Sequence, residues 1–210
     1  MLHQYYTIKE TGSYEFTIQK SRFIGHVQRV NSESEAQHFI QNIKKQHHAA
    51  THNCSAYVIG DNDDAQKAND DGEPSGTAGI PMLEVLKKLA LKNTVVVATR
   101  YFGGIKLGAG GLIRAYSSIT SETIQHIGMV QGDLMQGFSI SVSYPLLGKT
   151  ENYLRQSAYI LHDIQYLEYV NMIVYAPVQQ SETLQEEMVN LTNNQATVQI
   201  LDKKYIEKPI

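Results

Sequence analysis

A glycine-rich turn flanked by cations is the segment of this sequence best suited to bind a ligand. It follows an apolar, β-branched run at 94–99 and precedes a helical pattern that begins near residue 108. The first amides of a helix have no intrahelical partners and carry partial positive charge, and glycines let a ligand approach the backbone closely. Such a pattern is typical of an anion or phosphate site. The candidate binding residues are Arg100, Gly103, Gly104, Lys106, Gly108, Gly110, Gly111 and Arg114.

The turn matches neither of two common phosphate-binding motifs. It lacks the Gly-Lys-Ser/Thr that ends a P-loop, and residues 108–113 read Gly-Ala-Gly-Gly-Leu-Ile rather than Gly-x-Gly-x-x-Gly. Two interpretations therefore stay open. The glycines either only permit a tight turn with close helix–sheet packing, or they form a surface that binds phosphate or backbone groups.

The second candidate is the segment 70–81, here called the acidic run, in which three carboxylates precede the start of another predicted helix. Its carboxylates could take part in acid–base chemistry or hold Mg²⁺ or Ca²⁺. The nearby Asp61 and Asp63 do not continue as an EF-hand, because Gln66 stands where that loop needs glycine. Loop structure and helix capping compete with ligand contact here. The residues that could touch a ligand are Asp70, Asp71, Glu73, Ser75 and Thr77.

Four potential metal ligands lie close together in the sequence at His47, His48, His52 and Cys54. They fall between a predicted helix and a predicted strand, where helical i, i+4 geometry does not apply, and no metalloprotease glutamate stands beside a histidine. Nothing in the sequence shows what would lower the thiol pKa of Cys54 for nucleophilic chemistry. We therefore predict no metal site, no obligatory metal, no cofactor and no catalytic residue.

The elements that must position these residues alternate between strands and helices up to about residue 127. Strict apolar–polar alternation predicts strands, and apolar residues at helical spacing predict helices. The run at 94–99 is apolar throughout, which is typical of a central strand. The predicted order is a strand at 14–18, its hairpin partner at 23–30, a helix at 32–46, a strand at 54–59, a solvated loop at 60–76, a helix at 77–92, the central strand and a helix at 108–127.

A polar stretch at 128–137, bounded by glycines, is predicted to be a linker. The rest of the chain follows the order β-α-β-β-α-β, which is the ferredoxin-like arrangement. Its predicted elements are a strand at 138–142, a helix at 147–157, strands at 164–169 and 171–175, a helix at 181–192 and a strand at 196–200. The fold class is therefore α+β, with two domains.

Composition limits the classes of protein to consider. The 210 residues carry a net charge of −3, so any nucleic-acid binding must use a local positive patch. A single cysteine excludes an internal disulfide framework and fits a reducing compartment. The longest apolar stretches are far shorter than the ~20 residues that a membrane helix needs. We expect a cytoplasmic protein without membrane contact.

Several motifs of this sequence resemble those of the IMPACT/YigZ family. They read DDGEPSGTAG at 70–79, TRYFGG at 99–104, KLGAGGLIRAY at 106–116 and HNCSAY at 52–57, where the family often has a larger residue in place of Ser55. The chain looks like the bacterial YigZ-like branch. The resemblance implies a ribosomal protein S5 domain 2-like domain at 1–130 and a ferredoxin-like domain at 137–210, similar to the last domain of elongation factor G. The eukaryotic members are translation regulators that dampen the amino-acid-starvation kinase.

These observations favour a non-enzymatic cytoplasmic protein linked to translation regulation. It would bind RNA or a ribosome-associated partner, with the helix-end amides and the cations Arg100, Lys106 and Arg114 holding phosphates. One alternative is an enzyme acting on a phosphorylated small molecule or nucleotide, because S5-like folds also host kinases. The other alternative is a protein–protein interaction module in which the two motifs form one face.

Overall fold

The computed structural model describes residues 2–210, which form two compact units of mixed α and β structure. The first unit extends to Gly132 and includes Lys208–Ile210, and the second comprises Asp133–Glu207. Each unit has its own apolar core. The predicted α+β class is confirmed, and the domain limits 1–130 and 137–210 stay a prediction.

The first unit is built on a five-stranded antiparallel sheet with three helices. Its strands follow the order β2-β3-β6-β4-β5. An additional strand, β1, pairs with the start of β7. The elements of this unit are β1 (Gln4–Ile8), β2 (Gly12–Ile18), β3 (Ser21–Arg29), α1 (Glu33–Gln46), β4 (His52–Ile59), β5 (Ala65–Asn69), α2 (Gly79–Lys88), β6 (Thr94–Tyr101), α3 (Gly108–Ile127) and the first residues of β7 (Met129–Val142).

β6 is the central strand of this sheet, as predicted, and is buried on both faces. Val95 and Val97 pack in the cluster that contains the apolar side of α1. Val96 and Ala98 point the other way, into the larger cluster formed with α2 and α3. Because the strand is covered on both sides, its sequence is continuously apolar instead of alternating. The end of β6 is thereby held rigidly where Arg100 and the glycine-rich turn begin.

The second unit has the predicted order β-α-β-β-α-β. β7 lies between β10 and β9, and β8 pairs with β9 at the opposite edge from β10. Its core contains Phe138, Ile140, Met172 and Val174 from the strands, with Leu154 from a helix. The remaining elements are α4 (Tyr144–Gln156), β8 (Ile160–Tyr166), β9 (Val170–Pro177), α5 (Ser181–Thr192) and β10 (Thr197–Pro209).

The predicted linker at 128–137 is wrong, because β7 runs without interruption from Met129 to Val142. The glycines of β7 allow neighbouring groups to pack closely against the strand and do not interrupt it. A Cβ at Gly132 would overlap the ring of Tyr5, and a Cβ at Gly137 would lie 2.9 Å from the carbonyl oxygen of Asp202. Glycine in a strand often marks such a close approach.

Other element limits also differ from the prediction. The loop predicted at 60–76 contains β5, and α2 ends at Lys88 rather than at 92. Ala90 and Asn93 have positive φ values of 51° and 52°, which end the helical path. β8 begins at Ile160, and β10 extends nine residues past the predicted end at 200. Most of that extension is charged and exposed, so it has no apolar alternation to detect.

None of the helices within residues 2–210 has the length and apolar character that a membrane crossing requires.

Candidate functional site

A buried ion pair links the acidic run to the end of the central strand. The Arg100 Nη1 donates to Glu73 Oε1 at 2.7 Å, and both side chains are almost completely buried. The hydroxyl of Tyr116 on α3 donates to the same carboxylate oxygen at 2.7 Å. Arg100 Nη2 also lies 3.4 Å from Ser21 Oγ, whereas Arg100 Nε has no hydrogen-bond partner within the described residues. The acidic run and the glycine-rich segment therefore meet through Glu73.

Strand pairing brings His52 to the same place. His52 on β4 lies opposite Arg100 on β6. Its Nδ1 lies 2.8 Å from the carbonyl oxygen of Asp71, so Nδ1 must donate and the ring is fixed in orientation. Nε2 is 3.8 Å from Glu73 Oε2, which is an ion-pair distance if the ring is protonated.

Cys54 and Tyr116 pack behind this pair and are poorly suited to nucleophilic chemistry. The Cys54 thiol donates to the carbonyl oxygen of Asp70 at 3.0 Å. Burial raises the pKa of Cys54 to about 12, so the thiol stays protonated at neutral pH. Burial also raises the pKa of Tyr116, which acts as a neutral hydrogen-bond donor to Glu73.

The acidic run mainly organises its own loop and the start of α2. Asp70 Oδ1 accepts from the amides of Ala78 and Gly79 at 3.1 and 2.8 Å, and Oδ2 accepts from Gly76 at 2.8 Å. Burial alone would raise the pKa of this carboxyl, but the three amide hydrogen bonds outweigh it and the pKa is lowered. Asp70 thus caps α2 from outside the helix.

Two other residues of the acidic run make local contacts, and a third is exposed. Asp71 pairs with Lys44 at 2.5 Å and accepts the Asn53 amide at 2.7 Å. Thr77 is buried and donates to the carbonyl oxygen of Pro74, while Ser75 is exposed. Of the five residues predicted to contact a ligand, only Glu73 lines the cleft in front of α3 that the structure describes.

A cleft of about 400 Å³ opens in front of the amino-terminal end of α3. Gly108 and Ala109 of the first helical turn line it and are exposed, and Leu107 at the N-cap position provides no side-chain cap. Lys106 lines the same cleft and is also exposed. Free first-turn amides beside a cation form an environment that favours an anion.

The predicted cations do not form one exposed cluster. Lys106 is exposed at the cleft, but Arg100 is buried and its charge is balanced by Glu73. Arg114 is exposed on α3 beside Gly110 and does not line the cleft. The structure therefore does not support the prediction that Arg100, Lys106 and Arg114 hold phosphates together. Lys106 and the amides at the start of α3 are the predicted groups that remain available to an anion at the cleft.

The predicted glycines also have separate roles. A Cβ at Gly103 would overlap the backbone carbonyl of Lys20, so this glycine permits the turn to pack on the β2–β3 hairpin. Gly104 and Gly108 have φ values of 86° and 70°, in the region that favours glycine. Gly110 and Gly111 lie within the first turn and a half of α3 and do not line the cleft.

Sequence reasoning missed several residues that line the cleft. The sequence indicates His52 only as a possible metal ligand, since its position opposite Arg100 depends on strand register. Phe102 is 45% exposed, and an aromatic residue directly before a glycine pair is a signal that could have identified it. The apolar walls also include Pro74, Leu107 and Leu112.

The histidines and the cysteine considered as metal ligands have other partners. His47 Nδ1 lies 2.9 Å from the hydroxyl of Tyr101, and the Cys54 thiol is bonded to Asp70. Across residues 2–210, no three His, Cys, Asp or Glu side chains are grouped so that they could hold a metal ion.

Fold and site together define a two-unit α+β protein whose first unit carries a cleft at a helix amino terminus. Residues 19–124 match the Impact N-terminal domain, and residues 140–195 match a domain of unknown function, DUF1949. The chain belongs to the IMPACT family. It is 57% identical over 210 residues to the IMPACT family member YvyE of Bacillus subtilis, covering all of this chain and 97% of that protein.

More distant relatives and a solved structure extend the comparison. The IMPACT family member YigZ of Escherichia coli is 33% identical over 162 residues, which cover 76% of this chain and 79% of that protein. The Protein IMPACT homolog of Dictyostelium discoideum is 38% identical over 111 residues, or 51% of this chain and 30% of that protein. A crystal structure of a hypothetical protein has a TM-score of 0.61 and 25% identity, covering 96% of this chain and 99% of that one.

Proposed function

We propose that this protein is a non-enzymatic cytoplasmic regulator of translation that binds RNA at the cleft in front of α3. The observation that carries the proposal is the exposed, uncapped first turn of α3 beside Lys106. Membership of the family supports the link to translation, because the resemblance noted for the sequence implies that role for eukaryotic members.

The charges around the cleft favour a phosphate over an uncharged ligand. The negative charge of Glu73 is taken up by Arg100 and Tyr116, so it does not oppose an anion at the helix end. The amides of α3 and the ammonium group of Lys106 are then the groups available to phosphate oxygens. Since the chain has a net charge of −3, RNA would be attracted by this local region and not by the field of the protein.

Titrations with fluorescently labelled rRNA and tRNA fragments at two salt concentrations test the proposal. Binding is expected to weaken with salt, and Lys106→Ala is expected to reduce the slope of log K against log salt by about 0.7 if one phosphate contact is lost. Lys45→Ala is the matched control, because Lys45 is an exposed lysine in the last turn of α1.

Three results would contradict the proposal. The first is an absence of RNA binding, and the second is equal loss of affinity in the Lys106 and Lys45 variants. The third is capture of a ribosome-associated protein that survives nuclease treatment and is unaffected by Lys106→Ala, which would favour a protein-binding module instead.

A second candidate function is an enzyme that acts on a phosphorylated small molecule. The cleft volume of about 400 Å³ lies within the range of small-molecule sites, and His52 is oriented there by Asp71. A thermal-shift screen with nucleotides and sugar phosphates would test this candidate. Stabilisation by one of these compounds, together with an absence of RNA binding in the titrations, would favour it over RNA binding.

A further inference from the structure

We propose that the cleft takes one unpaired nucleotide of single-stranded RNA, with the base against Phe102 and a phosphate at the amino terminus of α3. The inference rests on the proposed function and specifies the form of RNA that the site accepts. It is carried by an exposed aromatic ring, a helix end and a buried arginine that all line one cleft.

Phe102 is held as a platform at the cleft. Its side chain is 45% exposed, although its backbone is fixed by the amide, which donates to Thr51 Oγ1 at 3.0 Å. The Arg100 guanidinium carbon lies 5.3 Å from the centre of the Phe102 ring, so the ring is already in contact with a cation. A positioned aromatic ring loses little conformational freedom when a base stacks on it, and such stacking tolerates any base.

Arg100 provides an observation independent of the helix end. It is 5% exposed and lines the cleft, and its Nε has no hydrogen-bond partner in the part of the chain that the structure describes. A buried donor without an acceptor is unfavourable. Because Nε is itself closed off from solvent, an acceptor atom of a ligand would reach it, and relieve that deficit, only if the guanidinium turned towards the cleft. The same guanidinium donates to Glu73 and Ser21, which holds it beside the cleft.

The shape and chemistry of the cleft favour an unpaired base. A volume of about 400 Å³ suits a single small ligand, and the walls are apolar where Leu107, Leu112 and Pro74 contribute. Within a duplex, both faces of each base are covered by its neighbours, so no face is free to stack on Phe102. Sequence-tolerant recognition of single strands by aromatic rings and cations follows the same logic.

The test compares a short fluorescein-labelled single-stranded RNA with the same strand annealed to its complement. The unmodified protein is expected to bind the single strand at least ~10-fold more tightly. Phe102→Ala is expected to weaken single-strand binding by about 10-fold, the equivalent of one stacked base, and Phe102→Tyr to retain it. Ile113→Ala is the matched control, because Ile113 is 42% exposed on α3 and does not line the cleft.

The outcomes separate the inference from the proposed function. Equal affinity for single and double strands would overturn the inference, and so would unchanged single-strand affinity in a folded Phe102→Ala variant. In either case, RNA binding that depends on Lys106 would leave the proposed function in place. Failure to bind either RNA would overturn both. An abasic single strand provides the last arm, and it is expected to bind the unmodified protein and Phe102→Ala equally.

Discussion

Among single side chains, Glu73 connects the largest number of groups at the cleft. It accepts from Arg100 and Tyr116 and lies 3.8 Å from His52. Among residues 2–210, no other carboxylate lies within ion-pair distance of Arg100, so removal of the Glu73 charge would leave a buried cation uncompensated. The carboxylate therefore matters for stability as well as for the form of the cleft.

We predict that Glu73→Gln lowers the free energy of unfolding by about 3 kcal/mol, within the range measured for breaking a buried pair. Urea denaturation at neutral pH would measure the change. Glu84→Gln provides the control, because Glu84 pairs with Lys87 at an exposed position where loss of the pair is expected to cost less than ~0.5 kcal/mol. Equal effects of the two substitutions would contradict the assigned role of Glu73.

A buried histidine, His26, and a half-buried one, His47, predict a pH dependence of stability. The ring centres of His26 and His47 lie 5.0 Å apart, and neither Nε2 has a hydrogen-bond partner from residue 2 to residue 210. Burial, followed by the neighbouring His47, lowers the pKa of His26 from 6.5 to about 4, and burial also lowers the pKa of His47. Between these pH values the unfolded chain binds more protons than the folded one, so stability falls as the pH drops from about 6.5 towards 4.

For His26 alone this loss is on the order of 3 kcal/mol. Unfolding free energies measured at several pH values should show the slope, and His26→Gln should flatten it. His38→Gln should leave the slope unchanged, because His38 is exposed on α1. A slope that persists in full in the His26 variant would show that other groups cause it.

Among the secondary-structure elements, α2 depends on a carboxylate that lies nine residues before the helix begins. Asp70 accepts three amides around the start of α2, whereas the N-cap residue Ala78 has no side chain that could do so. This arrangement ties the acidic run to the helix and thereby sets the position of Glu73. A charged cap at this end also interacts favourably with the helix dipole.

We predict that Asp70→Ala lowers the free energy of unfolding by about 2 kcal/mol, at the upper end of the range for loss of a cap. Asp70→Asn is expected to have about half that effect, because one acceptor oxygen remains. Chemical denaturation measures both, and Ser75→Ala in the same loop is the exposed control. A loss in Asp70→Ala no greater than in the Ser75 variant would contradict the capping role.

The elements that could be predicted are those in which local pattern and burial agree. β6 and α3 followed from a continuous apolar run and from helical spacing, since both patterns reflect the faces that the elements bury. The sequence does not predict β5, because its residues are partly exposed. It predicts β7 only over 138–142, because the glycines at 128, 132 and 137 are typical of a linker. Gly132 instead allows contact with Tyr5, which is distant in sequence.

The sequence predicts the part of the candidate site that is formed by residues adjacent in the chain. The glycine-rich turn and the helix that follows it are adjacent in sequence, so the helix end at Gly108 could be recognised. The contacts of Arg100 with Glu73 and of His52 with Asp71 join residues 27 and 19 positions apart, and no local pattern encodes them. A single sequence therefore indicated where a ligand could bind but not which cation would be free.

In the chain as a whole, each unit has its own core. We therefore expect that substitutions can change the stability of the protein without changing its RNA binding. Leu154 is fully buried in the core of the second unit, whereas Leu112 belongs to the core of the first unit and lines the cleft. Truncation of either leucine to alanine is expected to cost about 2–5 kcal/mol of stability, because it leaves a cavity. Every residue that lines the cleft belongs to the first unit.

We therefore predict that Leu154→Ala lowers the melting temperature but leaves RNA affinity unchanged at a temperature where the protein remains folded. Leu112→Ala, the same substitution in the first unit, is expected to reduce both. Thermal denaturation followed by circular dichroism and RNA titration of the same samples would measure the two effects. If Leu154→Ala weakened RNA binding as strongly as Leu112→Ala, the binding surface would have to include residues of the second unit, and the cleft alone would not account for recognition.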